Sequence, residues 1–491
     1  MNPTLAGFAI DIQRRDAQFF RVRARLSSRG PRASQVACAT LIAAALLGPP
    51  ARALANGRYP QANQIVVAPN DASHLYLRAT FGLLVSKDGG ATWDWICESA
   101  FGDTTNYGPE IGVTASEEIL VASSNGLWTS PDGCAWSTAP AIGPRFATDL
   151  VVRGDDASQA LAVTSDYASP EAGVSSFASQ VFATSDDGAT WSALGAPVDP
   201  PVLVATIEVA TNDPARIYVS GFQTSTTASA AYVITSSDRG AHWTSSTVPL
   251  VAGDLGVYLA AVDPTNADRV YVRTSNQSGG VASARLLVSD DGAKTFRSVY
   301  AGGAMLGFAL SPDGGEVFVG GLWPSDGLHA APSDTLAFTP KATLSIECLG
   351  ASGAKLYECG DAFSSFPLGV SSDDGATFAA ALDFHAIRGP LACPASSPVA
   401  ACAAQWPALE KQLGLTKSDG GTATSDGGAI APDAGVDAAA PTTNSDAPSE
   451  ANAGASGGCV TSPDGPRGTY AIAALLGALA VLGARAARRR G

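Results

Sequence analysis

The chain has 491 residues, of which 46% are hydrophobic and 15% charged, with 52 Gly and 31 Pro. This composition excludes a wholly disordered chain, and the length exceeds one ordinary compact domain, so an array of repeated units is expected. The formal net charge of −15 argues against nucleic acid and anionic lipid as partners, and four His offer little material for metal chemistry.

The amino end has the pattern of an export signal. Seven arginines between positions 14 and 32 precede an apolar run from Val36 to Leu47, which leads to the small-residue sequence "ALA" ending at Ala55. This order of segments is typical of a secretory signal peptide and its cleavage site. We therefore predict that residues 1–55 are a signal peptide with a long basic region and that cleavage precedes Asn56. A buried helix is the alternative.

An eight-residue motif that ends in an aromatic residue recurs through the middle of the chain. The full copies are "SKDGGATW" at Ser86–Trp93, "TSDDGATW" at Thr184–Trp191, "SSDRGAHW" at Ser236–Trp243, "SDDGAKTF" at Ser289–Phe296 and "SSDDGATF" at Ser371–Phe378. Two degenerate copies end at Trp136 and Phe338. The aromatic residues are 40 to 55 positions apart, which predicts seven repeated sheets of about four strands each.

Each repeat also has an upstream half with alternating hydrophobicity, as in "QIVVAPNDASHLYLRA" from Gln64 and "IEVATNDPARIYVSG" from Ile207. Alternation with a polar turn in the middle predicts two antiparallel strands, here called A and B. The motif then lies in the turn between strands C and D. The predicted fold is therefore all-β, a seven-bladed β-propeller of four-stranded antiparallel blades over residues 56–384.

The residue types of the motif suit a tight turn. The aspartate is predicted to accept hydrogen bonds from its own turn, the glycine to supply a positive φ, and the aromatic residue to pack beneath the hairpin. Ala293 takes the glycine position in the copy that begins at Ser289, so a looser turn is expected there. The structural positions are Asp88, Gly90, Trp93, Trp136, Asp186, Gly188, Trp191, Asp238, Gly240, Trp243, Asp291, Phe296, Asp373, Gly375 and Phe378.

The pattern S-x-D-x-G-x-T-W resembles the Asp-box, or bacterial neuraminidase repeat. That repeat occurs in the β-propellers of sialidases, sortilin-type receptors, xyloglucan-degrading enzymes and photosystem II assembly factors. The resemblance covers about two thirds of the chain and implies structural Asp-box turns that lie away from the catalytic face. The arginine signature of sialidases is missing, since "GPRFATD" around Arg145 does not match it, and sialidase activity is not predicted.

Acidic residues recur in the predicted A strands. Aligning these strands places Glu110, Asp149, Glu208 and Glu347 on the face that lines the central channel. Two carboxylates at a suitable distance could hydrolyse a glycoside, and a ring of acids could bind a cation. The alternative is that the acids are merely solvated in a water-filled channel. No phosphate loop, metal-binding histidine pair or dinucleotide fingerprint is present, so no cofactor and no metal are predicted.

Eight cysteines are present, of which Cys38 belongs to the signal and Cys459 to the carboxyl-terminal tail. The remaining six permit fifteen pairings, and disulfides would fit an oxidising compartment. A metal site is the alternative. The predicted pairs are Cys348–Cys359 across a turn, Cys393–Cys402 because they are close in sequence, and Cys97–Cys134 by elimination.

The carboxyl-terminal region divides into three predicted segments. Residues 385–415 are predicted to form a cap with a disulfide and a short helix, and residues 416–458, rich in Ala, Gly, Asp, Ser and Pro, a disordered stalk. In residues 459–491, Cys459 precedes an apolar helix and an arginine cluster. This order resembles the sorting signals of myxobacterial surface proteins, which implies anchoring at Cys459 and membrane contact through the apolar segment.

Together these features predict an exported, monomeric propeller displayed at the cell envelope or outer surface, or released from it. Its function is predicted to be that of a binding or scaffold module for a protein or carbohydrate ligand, because propeller loops vary without disturbing the blades. Two alternatives remain open: an extracellular Asp-box glycoside hydrolase of the sialidase or xyloglucanase kind, and an envelope assembly factor.

Overall fold

The structure of the protein is a computed structural model that describes residues 59–103, 108–171, 174–224, 229–276, 282–361 and 363–415. The predicted signal peptide, stalk, Cys459 and sorting tail lie outside these residues. Within the described ranges, every helix is too short or too polar to cross a bilayer.

The chain forms a seven-bladed β-propeller, as predicted. Each blade is a four-stranded antiparallel sheet whose strands A to D follow each other in chain order. The strands of blades 1 to 4 are β1 Ala62–Val67, β2 Leu75–Ala79, β3 Gly82–Ser86, β4 Trp93–Ile96, β5 Glu110–Val113, β6 Ile119–Ser123, β7 Gly126–Ser130, β8 Ser137–Thr138, β9 Ala147–Val152, β10 Ala160–Glu171, β11 Val174–Thr184, β12 Ser192–Ala193, β13 Leu203–Ala210, β14 Asp213–Thr224, β15 Ser229–Ser236 and β16 Thr244–Thr247. Those of blades 5 to 7 are β17 Asp254–Asp263, β18 Asn266–Asn276, β19 Ser283–Ser289, β20 Arg297–Gly303, β21 Met305–Leu310, β22 Glu316–Gly321, β23 Leu328–Pro332, β24 Thr339–Ala342, β25 Cys348–Ser352, β26 Lys355–Cys359, β27 Leu368–Ser371 and β28 Ala379–Leu382.

The ring closes without exchange of a strand between the first and last blades. The A strands contact one another in order around the ring, and β25 of blade 7 contacts β1 of blade 1. Gln61 forms a β-bridge with Asp361, and the Ala62 N–H donates to the Gly360 carbonyl at 3.0 Å. The hydrophobic core lies between neighbouring blades, as where Val163 of blade 3 packs with Ile207 of blade 4.

The segment after β28 returns to the outside of blade 1. Its strand β29, Ile387–Pro390, pairs in parallel with β4 and becomes a fifth strand of that sheet. Arg388 forms an ion pair with Asp94 of β4, and the Leu391 N–H donates to the Trp95 carbonyl at 2.8 Å. In the described part of the chain, the helices are α1 Trp406–Gln412 and the 3-10 helices Glu98–Phe101, Phe384–Ala386 and Pro398–Ala404.

Two disulfides tie this segment to blades 1 and 2. The structure pairs Cys97 with Cys402 and Cys134 with Cys393, so the predicted pairs Cys97–Cys134 and Cys393–Cys402 are wrong. The reason is that the segment runs across two blades: Ser397 donates to the Cys134 carbonyl at 2.6 Å, while the buried Cys402 lies against the 3-10 helix that follows Cys97.

The third predicted disulfide, Cys348–Cys359, is confirmed. Its two cysteines are directly opposite each other in the β25–β26 ladder, so a local hairpin register was enough to predict it.

The five full motif copies form turns with one hydrogen-bond pattern. In the first, the Ser86 hydroxyl donates to Asp88 Oδ1 at 2.8 Å and accepts from the Gly90 N–H at 2.9 Å. The Thr92 N–H and hydroxyl donate to the two Asp88 oxygens at 2.8 and 2.5 Å. The same bonds recur around Asp186, Asp238, Asp291 and Asp373, with His242 in the place of the threonine beside Asp238.

The turn at Ala293 has the same shape as the others, so the prediction of a looser turn is wrong. Ala293 has a φ of +67°, close to the +78° of Gly240, and its N–H donates to the Ser289 hydroxyl at 2.9 Å. A left-handed backbone conformation is unfavourable for alanine by itself. The hydrogen bonds that this turn shares with the other four copies hold Ala293 in that conformation.

The turn aspartates predict a loss of stability in acid. Hydrogen bonds, chiefly from the threonine or histidine four residues on, lower the pKa of Asp88, Asp238, Asp291 and Asp373 to about 2. Because these folded-state values lie below the ordinary value of 3.8, the stabilisation is complete above about pH 4 and is lost as the pH falls towards 2. Scanning calorimetry between pH 5 and 2 should show a falling Tm.

The variant Asp373→Asn keeps the side-chain shape but does not titrate. It should have a lower Tm than the parent at pH 6, and a shallower fall of Tm between pH 4 and 2. An unchanged slope would contradict the assignment of the acid sensitivity to these turns.

Candidate functional site

The antiparallel order of the strands gives the propeller two different faces. The A–B turns and the C–D turns, including every motif turn, lie on one side, which we call the turn face. The B–C connections and the links between blades lie on the other side, the loop face. The Gly89 N–H of a C–D turn donates to the Ser73 carbonyl of an A–B turn at 2.8 Å, which shows that these two kinds of turn lie together.

The loop face is built up on one side of the ring. In blades 3 and 4 the B and C strands form hairpins that extend past the inner strand, and in blade 5 the long inner strand β17 pairs with β18 as far as Asn276. In blade 3, for example, β9 pairing ends at Ala147 opposite Thr164, but β10 and β11 continue to pair through Tyr167 and Phe177. The tips of the three hairpins lie outside the described residues. The other blades have B strands of only five or six residues.

Exposed hydrophobic side chains are confined to the loop face. In the described part of the chain, the large hydrophobic side chains that are well exposed are Tyr167, Val251, Leu255, Trp323 and Phe363. Tyr167 lies on the blade 3 hairpin, and Trp323 and Phe363 lie on B–C connections. Val251 lies in the link from blade 4 to blade 5, and Leu255 lies at the start of β17. The loop face therefore carries the well-exposed large hydrophobic side chains of the described residues.

The structure brings three of the four predicted channel acids together. Glu110 begins β5, Asp149 lies in β9, and Glu208 lies in β13. Burial, followed by the charges of Glu110 and Glu208, raises the pKa of Asp149 well above its usual range. Glu347 lies just before β25, where its side chain is buried and its N–H donates to the Cys359 carbonyl at 2.8 Å.

Asp149 acts as a link between blades. Its Oδ2 accepts from the Ile207 N–H of β13 at 2.9 Å, and its Oδ1 accepts from the Leu150 N–H at 2.8 Å. With both oxygens bonded to the backbone, Asp149 has a structural role at the inner ring.

Two other A-strand side chains make the same kind of link. Gln64 exchanges two hydrogen bonds of 2.9 Å with the backbone of Ile111, and Thr206 accepts from the Leu259 N–H at 2.8 Å. The sequence analysis considered only acids and missed both residues. A search for any polar residue at this register of the A strand would have found them.

Glu208 and Glu110 lie in different electrostatic surroundings. Burial raises the pKa of Glu208 to about 8, and among the described residues its carboxyl makes no hydrogen bond or ion pair. Glu110 lies 3.7 Å from the buried guanidinium of Arg78. Glu208, with its raised pKa, and Glu110, beside an arginine, thus both lie near Asp149 at the inner ring.

Two arginines near the channel were also missed. Arg273 lies over the Tyr258 ring at 5.1 Å and donates to the Met305 carbonyl at 2.6 Å, while burial lowers its pKa and the charge of Glu110 opposes that shift. Arg78 and Arg273 both follow a B-strand tyrosine in the pattern Tyr-x-Arg, which is the signal that could have identified them. Within the described ranges, no group of three or more His, Cys, Asp and Glu could hold a metal ion.

Comparison with known proteins leaves the family of this chain open. Neither a protein-family model nor a curated protein matches it. Similar solved structures include the extracellular domain of a hybrid two-component system from B. thetaiotaomicron, with 12% identity and a TM-score of 0.41 over 62% of this chain and 37% of that one. An ancestral GH74 enzyme has 12% identity and a TM-score of 0.35 over 66% of this chain and 55% of its own.

A GH93 α-L-arabinofuranosidase of Fusarium graminearum has 14% identity and a TM-score of 0.35 over 62% of this chain and 90% of its own. The chain thus spans little more than a third of the first of these structures and about half of the second. At such low identities and TM-scores, none of them carries an argument about what this chain binds or does.

Proposed function

We propose that this β-propeller is an exported binding module, anchored at the cell envelope, that recognises a protein or a glycan with its loop face. The observation that carries the proposal is that, among the described residues, the well-exposed large hydrophobic side chains all lie on that face. The turn face is occupied by regular hydrogen-bonded turns, which we assign to the Asp-box type on their shared bonding pattern. Loops on a rigid ring are free to vary for recognition.

Two features support the proposed location. Three disulfides suit an oxidising, extracytoplasmic compartment. The predicted signal peptide and the predicted tail with Cys459 supply the route out of the cell and the anchor.

A glycoside hydrolase is the second candidate, and the Glu208–Glu110 pair favours it. A carboxyl group with a pKa near 8 is protonated at neutral pH and suits a general acid, which donates its proton to the departing glycosidic oxygen. The second carboxylate, Glu110, would then act as nucleophile or as base towards water. Asp149 is unsuited to either role because backbone N–H groups occupy both of its oxygens.

One experiment separates the two candidates. The purified full chain is applied to a glycan array, and the same sugars are assayed for hydrolysis with the parent and with Glu208→Gln. We expect binding without turnover, and equal binding by the variant. If hydrolysis occurs and Glu208→Gln lowers kcat/KM by about 100-fold or more, the protein is a hydrolase and the binding proposal is wrong.

Loop-face recognition is tested with a matched pair of variants. Phe363→Ala and Tyr167→Ala on the loop face should weaken binding, whereas Lys294→Ala on the turn face should not. Equal effects from both faces would contradict the proposal.

A further inference from the structure

A small cleft opens on the loop face where blade 5 meets blade 6. It is lined by Tyr300, Met305, Val319, Asp326 and the backbone of Gly303, Gly320 and Gly321. The lining comes from the end of β20, the start of β21 and the connection between β22 and β23. The cleft is separate from the central channel acids.

Asp326 is held in this cleft by glycines. A Cβ added at Gly303 would lie 2.1 Å from Asp326 Oδ2, and one added at Gly321 would lie 2.2 Å from Asp326 Cβ. Only glycine at these two positions leaves room for the carboxylate. Asp326 Oδ2 is buried and has no hydrogen-bond partner among the described residues. A buried carboxylate oxygen without a donor is unfavourable, so the cleft favours a ligand that brings a hydrogen-bond donor.

The nearby tyrosine does not supply that donor, because its hydroxyl makes no hydrogen bond to Asp326 Oδ2. The Tyr300 hydroxyl lies 3.3 Å from His329 Nδ1, and burial followed by the charge of Asp326 raises the Tyr300 pKa. The Tyr300 ring packs against His329 and Phe338, with centroids 5.4 and 5.0 Å away. These contacts cover the ring, so it does not provide the open aromatic cage that an ammonium ligand prefers.

An exposed indole lies in the same connection as Asp326. Trp323 is 51% exposed, and its carbonyl accepts from the N–H groups of Asp326 at 2.8 Å and Gly327 at 3.1 Å. The neighbouring Leu322 N–H donates to the Ala304 carbonyl at 2.9 Å, which ties the connection to the blade. An exposed aromatic side chain three residues from Asp326 in the same connection suits stacking against the apolar face of a sugar ring.

We propose that this cleft is a subsite for a neutral sugar residue, which stacks on Trp323 while one of its hydroxyl groups donates to Asp326 Oδ2. A hydroxyl group fits the cleft, and the ring stays outside it against the indole. Acidic sugars are excluded by the Asp326 carboxylate. This assignment rests on the proposed binding function and specifies its ligand as a neutral glycan.

The test uses calorimetric titration of the full chain with four neutral probes, namely cellohexaose, xylohexaose, chitohexaose and α-1,5-arabinohexaose, beside hexagalacturonate and octalysine. We expect at least one neutral probe to bind, and hexagalacturonate not to bind. Trp323→Ala and Asp326→Asn should each weaken that binding by about tenfold or more, and Trp323→Phe should retain most of it. Lys294→Ala, in the C–D turn of blade 5 on the turn face, should leave this affinity unchanged.

The outcomes separate the subsite from the wider function. Binding of a neutral probe that survives both Trp323→Ala and Asp326→Asn overturns the subsite and leaves the binding module standing. Binding of octalysine alone, lost in Asp326→Asn, overturns it in favour of a basic peptide. If none of the probes binds, the subsite is overturned. The binding function is overturned only if the glycan array also shows no binding. An unchanged Tm for each variant excludes misfolding as the cause.

Discussion

Replacing Trp93 with alanine should destabilise the propeller by about 3–5 kcal/mol, the usual cost of removing a buried large aromatic side chain. The Trp93 side chain is fully buried. Its Nε1–H group donates to the Gly90 carbonyl of its own turn at 3.0 Å and lies 3.2 Å from the Ala381 carbonyl of blade 7. One side chain therefore supports the first motif turn and the junction between the first and last blades. Chemical denaturation with the disulfides intact measures the loss.

Trp243→Ala is the matched control, because the residue has the same place in a motif turn but is only half-buried. Its indole N–H donates to the Ala196 carbonyl at 3.0 Å, so this control also removes a bond to a neighbouring segment. A clearly smaller loss of stability is expected, because the half-buried Trp243 side chain buries less apolar surface on folding than the Trp93 side chain does. If both variants lost the same stability, burial at the blade 7 junction would not be what makes Trp93 important.

Much of the fold could be predicted from the sequence because its determinants are local and repeated. Each motif turn is fixed by hydrogen bonds among residues within four positions of one another, as between Asp88 and Thr92. Strand alternation then places the motif between strands C and D in every blade. The exception at Ala293 shows the limit of residue-type reasoning, because the surrounding bonds impose the left-handed conformation that the residue type disfavours.

The site was harder to predict because it depends on contacts between distant segments. The alignment of A strands did bring Glu110, Asp149 and Glu208 to one place, but it could not show that Asp149 is bonded to the next blade. The cleft at Asp326 depends on glycines in two different blades, and no local motif marks it. The same limit explains the two wrong disulfides, since the chain path after β28 had no pattern to follow.

The two long-range disulfides together should stabilise the propeller by less than the sum of what each would contribute alone. Cys97–Cys402 and Cys134–Cys393 span 305 and 259 residues, yet both attach the same carboxyl-terminal segment. When Cys134–Cys393 is present, the path from Cys97 to Cys402 through that bridge is only about 46 residues. Cys97–Cys402 then closes a loop of that length in the unfolded chain, and not a loop of 305 residues. Chain entropy then gives about 4 kcal/mol for removing either bridge first and about 6 kcal/mol for removing the other afterwards.

A double-mutant cycle measures this difference. The variants Cys97→Ala/Cys402→Ala, Cys134→Ala/Cys393→Ala and the fourfold replacement are compared by denaturation and by Tm, which avoids leaving an unpaired thiol. The fourfold variant should lose about 1–2 kcal/mol more than the sum of the two pairs. Cys348→Ala/Cys359→Ala serves as the control, because that bridge closes a local loop of 11 residues and should add independently. Strict additivity of the two long bridges would contradict this prediction, because in the chain-entropy account the loop that one bridge closes in the unfolded chain depends on whether the other is present.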